Sequence, residues 1–161
     1  MAGLKFFLTI TSSRATIQKE LNMSEYEFIV PGKPYPLKRP RRASFGGMFD
    51  PKDNVQAKAA VAQIARLYIK RPMEGPVVLC ATFLFERPKS HYGKSLKASA
   101  PIFHTQRPDV DNLIKTVLDG LNGIAWNDDA QVVEVSGKKA WSDGPAQTNI
   151  RVETFNTKRE D

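Results

Sequence analysis

The sequence predicts a two-layer α+β domain, a small mixed sheet beneath two main helices. Four segments read as strands, at residues 26–30, 77–85, 131–140 and 148–155. Two segments, 54–69 and 112–122, carry helix start and stop signals instead. At 161 residues the chain suffices for one such domain with a core of its own.

Residues 1–22 read as a loosely attached N-terminal extension, with a second start conceivable at Met23, and the domain runs over 23–161. Tyr26-Glu27-Phe28-Ile29-Val30 alternates in part, as a strand does, and Pro31-Gly32 ends it. Residues 33–49, rich in Pro, Gly and Arg, form a loop or irregular hairpin. Pro51 and Asp53 signal the helix over 54–69, where Val55, Ala59, Ala62, Leu67 and Ile69 make an imperfect apolar stripe. Residues 77–85 are apolar on both faces, which predicts a central strand covered on each side, with Cys80 a small core residue. Residues 86–108 are basic, polar and without period, the mark of a functional loop. Asp111 then caps the helix over 112–122; Leu113, Val117, Leu118 and Leu121 line one face and Gly123 stops it. The last two strands are joined by the turn Ser142-Asp143-Gly144-Pro145.

Charge divides unevenly along the chain. The net charge is +7, yet residues 1–108 hold 18 basic and 7 acidic side chains, whereas 109–161 hold 6 basic and 10 acidic ones. A basic excess is the footprint of a protein that neutralises phosphates, and an acidic cluster within it opposes DNA unless a cation intervenes. No apolar run approaches the roughly 20 residues of a membrane helix, and the N-terminus reads as neither signal peptide nor anchor. The one cysteine excludes an internal disulfide and a cysteine-rich zinc site, which fits a reducing cytoplasm.

The most informative stretch is Arg107-Pro108-Asp109-Val110-Asp111-Asn112-Leu113-Ile114-Lys115. Two carboxylates one residue apart, at a loop-to-helix turn, can converge on one point. Asp128-Asp129 follows the same helix, and Asp129 reaches Asp111 only if the chain folds back along a helix about 16 Å long. Converging carboxylates repel one another without a cation, and Mg²⁺ prefers such hard oxygen ligands. Lys115, four residues after Asp111, shares its helical face and suits a scissile phosphate. Each residue also has an ordinary reading: N-capping for Asp111, turn chemistry for Asn127-Asp128-Asp129, a surface ion pair for Lys115.

Residues 107–115, together with Leu118-Asp119-Gly120-Leu121-Asn122-Gly123 and Asn127-Asp128-Asp129-Ala130-Gln131-Val132, resemble the RusA family of Holliday junction resolvases. Upstream, Phe28-Ile29-Val30-Pro31-Gly32-Lys33-Pro34 and Lys38-Arg39-Pro40-Arg41 are similar to that family's opening strand and basic segment, so the resemblance covers about residues 26–155. It implies that Asp109, Asp111 and Asp129 are catalytic metal-binding carboxylates, Lys115 the catalytic lysine and Asp128 a supporting acidic ligand. It further implies a homodimer that nicks opposing strands of four-way branched DNA with Mg²⁺, or Mn²⁺ in its place. The setting implied is recombination and repair in a bacterial or phage-infected bacterial cell.

Lys33, Lys38, Arg39, Arg41 and Arg42 alternate with prolines and read as a phosphate-tracking element. Lys89, Lys94, Lys97 and Arg107, with Arg87, form a second. Phe45 and Phe103 are candidates to stack on unpaired bases. His91 and His104 lack metal-ligand spacing and are expected in solvent; Asp119 is expected to pair with Lys115; Trp126 and Trp141 read as core or interface anchors. No membrane or small-molecule partner is expected. Two other readings stay open: a non-catalytic branched-DNA-binding module with structural carboxylates, and a nucleotide-dependent transferase, for which no Gly-rich phosphate loop exists.

Overall fold

The computed structural model describes residues 24–42 and 45–154; the expected extension over 1–22 and Phe155 lie outside the described residues. The most apolar run becomes β4 (Val77–Glu86), an interior strand. It pairs antiparallel with β6 (Gln147–Thr154) and parallel with β5 (Val132–Ser142), while β1 (Glu25–Pro31) adds antiparallel to β6. The sheet order is therefore β1-β6-β4-β5. Since β4 lies between β5 and β6, the turn after Ser142 bridges the end of β4 instead of closing a hairpin. The basic Pro-rich segment does contain a small hairpin, β2 (Arg41–Arg42) paired with β3 (Met48–Phe49).

Both helices, α1 (Lys52–Tyr68) and α2 (Val110–Leu121), pack on one face of the sheet. That face carries Val77, Leu79, Ala81, Phe83 and Phe85 of β4 with Ile150 and Val152 of β6, all buried. The expectation that β4 is covered on each side is therefore corrected. Val78 is buried on the opposite face, but Cys80 and Leu84 are only half-buried. Their shelter is side chains from neighbouring strands: Arg151, in register with Cys80, lays a guanidinium nitrogen 3.8 Å from its sulfur. Two layers, not three, explain the partial cover.

Helix α2 buries Leu113, Val117 and Leu121 as its periodicity predicts, with Thr116 and Gly120 beside them. It starts earlier than expected, however: Asp109 is the N-cap and Asp111 lies in the first turn. Helix α1 also starts earlier, at Lys52 with Pro51 as its N-cap, and of its expected stripe Ile69 is buried whereas Val55, Ala59 and Leu67 are exposed. Val55 and Leu67 are more than half exposed, whereas Asn54, Val61 and Ala65 face inward. Small residues win that face because α1 and α2 approach closely. A Cβ on Gly120 would lie 2.8 Å from Val61 Cβ and 3.0 Å from the carbonyl oxygen of Lys58.

A second glycine serves the sheet side of α2. Gly137 of β5 sits under Ile114 and Val110, where a Cβ would fall 2.5 Å from Ile114 Cδ1. Overpacking typically costs about 1–3 kcal/mol, against about 1 kcal/mol gained by Ala over Gly within a helix. Gly120→Ala is expected to lower stability measured by urea unfolding, because a backbone carbonyl opposes the new methyl. Gly137→Ala should cost less, since the end of the Ile114 side chain can rotate away.

Candidate active site and DNA-facing cleft

Asp109 ends an extended loop and stands at the N-cap of α2, where its carboxylate makes no capping bond. Asp111 projects from the first turn, and both side chains are exposed. Two carboxylates at a helix N-terminus are favoured by the backbone dipole, which offsets part of their mutual repulsion. Lys115 lies one turn on, its Nζ 3.5 Å from Asp111 Oδ2, an exposed pair that binds either partner weakly.

Three contacts fix this helix end. The Leu37 amide donates to the Asn112 carbonyl at 2.9 Å. The Lys139 ammonium donates to the carbonyls of Gln106 and Pro108, at 2.7 Å each. Gly137 admits Val110 and Ile114 against β5. Lys139 is a residue that sequence reasoning missed; its signal is its place two residues after Gly137, on the face of β5 that meets α2.

Asp128 and Asp129 lie beyond the other end of α2. Asp128 caps a short 3-10 turn, its Oδ1 accepting the Ala130 amide at 2.8 Å, while Gln131 Oε1 accepts the Asn127 and Asp128 amides. Asp129 is exposed, with Oδ1 held at 2.7 Å by the indole N–H of fully buried Trp126. Trp126 thus is the core anchor expected of it, and it also orients a carboxylate.

Helix α2 is 12 residues long, and a helix of that length spans about 18 Å. The chain does return along it, but through β5, and the residue that arrives at the starting end is Lys139. Asp129 stays where β5 begins. Among the described residues, no three acidic, histidine or cysteine side chains of one chain converge to hold a metal ion. One subunit presents two candidate ligands at one end of α2 and a third at the other.

Next to Asp109 the surface is concave. A cleft of about 610 Å³ runs from Lys33 and Tyr35 past Arg107 to Asp109 and Asn112. Its Pro-rich wall is pinned by Asn54, which is fully buried: its side-chain amide donates to the Lys38 carbonyl at 2.7 Å and its oxygen accepts the Lys38 amide at 3.0 Å. Asn54 also escaped sequence reasoning, since a polar residue in a first helical turn ordinarily faces water.

Residues 31–153 match the protein family described as Endodeoxyribonuclease RusA. The chain belongs to the RusA endodeoxyribonuclease family. It is also 35% identical over 129 residues to the Bacillus subtilis (strain 168) uncharacterized protein YqaN, covering 74% of this chain and 89% of that protein. DNA cleavage and action on branched junctions follow as the family's activity. No described helix is long and apolar enough to cross a membrane.

In this RusA-family chain the expected DNA-contacting residues do not stand alike. Lys33, Arg39, Arg42, Lys89, Lys94 and Arg107 are exposed, and Lys33 and Arg107 line the cleft beside Asp109. The backbone of Arg41 lies in the β2–β3 hairpin. Lys38 pairs with Asp53 at 3.0 Å and lies over the Tyr35 ring, and its pKa is raised by hydrogen bonding first to Tyr35 and then to Asp53. Lys97 donates to the Ser90 carbonyl at 2.8 Å, and Arg87 is held by Asp143 and the Pro101 carbonyl, both at 2.7 Å. Asp119 pairs with Lys58 of α1 at 3.7 Å, not with Lys115 as expected. Phe45 at the hairpin tip is fully exposed, and Phe103 is half-exposed beside the Lys138 ammonium.

The histidines differ most from expectation. His104 is buried, stacked 4.0 Å from the Phe85 ring and 4.4 Å from Trp141, and His91 meets Trp141 edge-on. The cause is strand-like pairing of the basic loop with β5: His104 donates its amide to the Lys139 carbonyl and Ile102 accepts from Trp141. Burial, and then the nearby Lys139 charge, hold the His104 imidazole below its ordinary value of 6.5. The unfolded chain therefore binds more protons once pH falls under that value, and folding stability declines. Urea unfolding at about pH 7 and about pH 5 should show this acid loss. His104→Phe, which cannot protonate, should show a smaller one.

Proposed function

We propose that the protein resolves four-way DNA junctions by paired nicks, with a divalent cation held by Asp109 and Asp111 of one subunit and Asp129 of the partner subunit. The observation that carries this is the division of the carboxylates between the two ends of α2. A pair of exposed carboxylates supplies hard oxygen donors and lacks only further ligands, which fits Mg²⁺ better than a nitrogen- or sulfur-preferring metal.

A second copy is the simplest source. Beyond the segment that covers Lys139 to Trp141, β5 is the sheet's outer edge, and Val133 and Val135 there are 58% and 41% exposed. An apolar open edge calls for a partner. A two-fold axis through Val135 sets residue 131 of one copy opposite residue 139 of the other. Since the Lys139 ammonium touches the Pro108 carbonyl, Asp129 of the partner subunit is carried toward the Asp109 end. Two-fold symmetry then gives two equivalent sites, as two opposed nicks require.

In the proposed reaction, Lys33 and Arg107 hold the phosphates on either side of the cut. Asp109 and Asp111 would hold the cation beside the phosphate, and the Lys115 ammonium balances charge growing on the phosphate oxygens. A bound Mg²⁺ or Mn²⁺ supplies charge neutralisation and a more acidic water. The supporting role of Asp128 is to hold the turn that carries Asp129.

Asp111→Asn should abolish Mg²⁺-dependent cutting of a synthetic four-way junction while leaving gel-shift affinity for it intact; cutting at the wild-type rate removes Asp111 from the site. Wild-type junction binding without cutting in either metal would leave a binding module instead of a nuclease. Shared sites give a sharper outcome. Asp111→Asn and Asp129→Asn should each be inactive alone, whereas their mixed dimer regains one intact site and nicks one strand. No activity on mixing would assign all three carboxylates to sites within one chain.

A further inference from the structure

A second cavity, of about 640 Å³, opens beside the cleft and shares Lys33 and Arg107 with it. Its remaining wall includes Phe85, His104 and Trp141 with Arg87. That volume lies within the roughly 300–1,000 Å³ of sites built for small ligands. Aromatic rings line one side, cations stand on the border with the cleft, and Glu86 adds one carboxylate to the lining.

His104 is the informative residue. It is only 6% exposed, it lines the cavity, and its Nδ1 is buried with no hydrogen-bond partner. A buried polar atom without a partner is unusual in a folded protein, and it marks the imidazole in this wall as a group whose bonding the described residues leave incomplete. Arg87 makes the wall rigid: its side chain is 6% exposed, tied to Asp143 and the Pro101 carbonyl. The site is thus built from fixed groups, with an imidazole kept neutral by burial, able to donate through one nitrogen and accept through the other.

We propose that this cavity takes one nucleobase turned out of the junction next to the cut, seated against the packed aromatic wall of Phe85, His104 and Trp141, with its flanking phosphates on Lys33 and Arg107. This rests on the nuclease reading above and adds to it a means of choosing where to cut. An extruded base is recognised by stacking among aromatic side chains and by hydrogen bonds to its edge. Those are the groups present. Unpairing a base costs less where pairing is already weakened, as at a strand crossing, so a branched substrate lowers the barrier to filling the pocket. The two shared cations join the pocket to the carboxylates, which places the chosen base beside the phosphate to be cut.

The experiment is a scan of 2-aminopurine, whose fluorescence reports unstacking, through the nucleotides flanking the crossing of a synthetic four-way junction. Binding of the wild-type protein, without divalent metal, should change the signal at one or two positions only. Trp141→Leu should lose that change and weaken junction binding by about 10-fold, the scale of one lost base–aromatic stack. His104→Phe, which preserves ring packing, should bind the junction but flatten any preference among bases at the responding position. Thermal melting of each variant confirms its fold. A junction that binds with no responding position, or a response unchanged in both variants, overturns the pocket and leaves the nuclease reading standing. A junction that the wild-type protein does not bind overturns both.

Discussion

The hold on the N-terminal end of α2 is the constraint on which the rest depends. Asp109, the N-cap of α2, and Asp111, in its first turn, are exposed acids, and the weak pair between Asp111 and Lys115 does not by itself fix where they point. Their placement comes from the backbone beneath them: the Leu37 amide on one side, the Lys139 ammonium on the other, and the glycine that admits Ile114 from below. Each contact joins α2 to a different part of the chain, so the acidic turn is located relative to the basic arm, the basic loop and the sheet together. Preorganised ligands bind a cation without first giving up side-chain and loop freedom, and the cleft beside them is positioned by the same contacts.

This arrangement also reconciles the charge pattern. Lys33, Arg39, Arg42, Lys89, Lys94 and Arg107 face solvent on the arm and the loop, while Asp109, Asp111, Asp128 and Asp129 stand at the two ends of one helix. Several cations are already engaged: Lys38 with Asp53, Lys58 with Asp50 and Asp119, Arg87 with Asp143. Among the described residues Lys33 and Arg107 are tied to no carboxylate, and they stand at the junction of both cavities. These two cations place positive charge beside the Asp109 carboxylate, where an unscreened negative charge would otherwise repel DNA.

Much of the fold was legible because it rests on period and punctuation. Strand β4 announces itself as an apolar run, β1 alternates in part, and α2 shows the i, i+4, i+8 spacing of Leu113, Val117 and Leu121. The legible part ends where tertiary contact overrides local pattern. The buried stripe of α1 was misread because Gly120 lets the helices meet at small residues, leaving Val55 and Leu67 outside. His104 was misread because its burial depends on a loop that pairs with β5 some 35 residues later, which no local window reveals. The acidic residues were legible by type and order, whereas their separation was not, since it depends on β5 and not the loop after α2 making the return path.

That return path has a consequence for control. A helix of 12 residues fixes the distance between its two ends, and neither end bends toward the other. The capping turn that carries Asp129 is tied back by Gln131 to the carbonyls of Met73 and Gly75, and its carboxylate is tied to a buried indole. Closing the gap within one chain would require unmaking those bonds and withdrawing Trp126 from the core. Docking a second copy on the open edge of β5 requires neither. On the proposed arrangement a solitary subunit therefore holds an incomplete site, and competence to cut arises with the same pairing that supplies the second, symmetry-related cut.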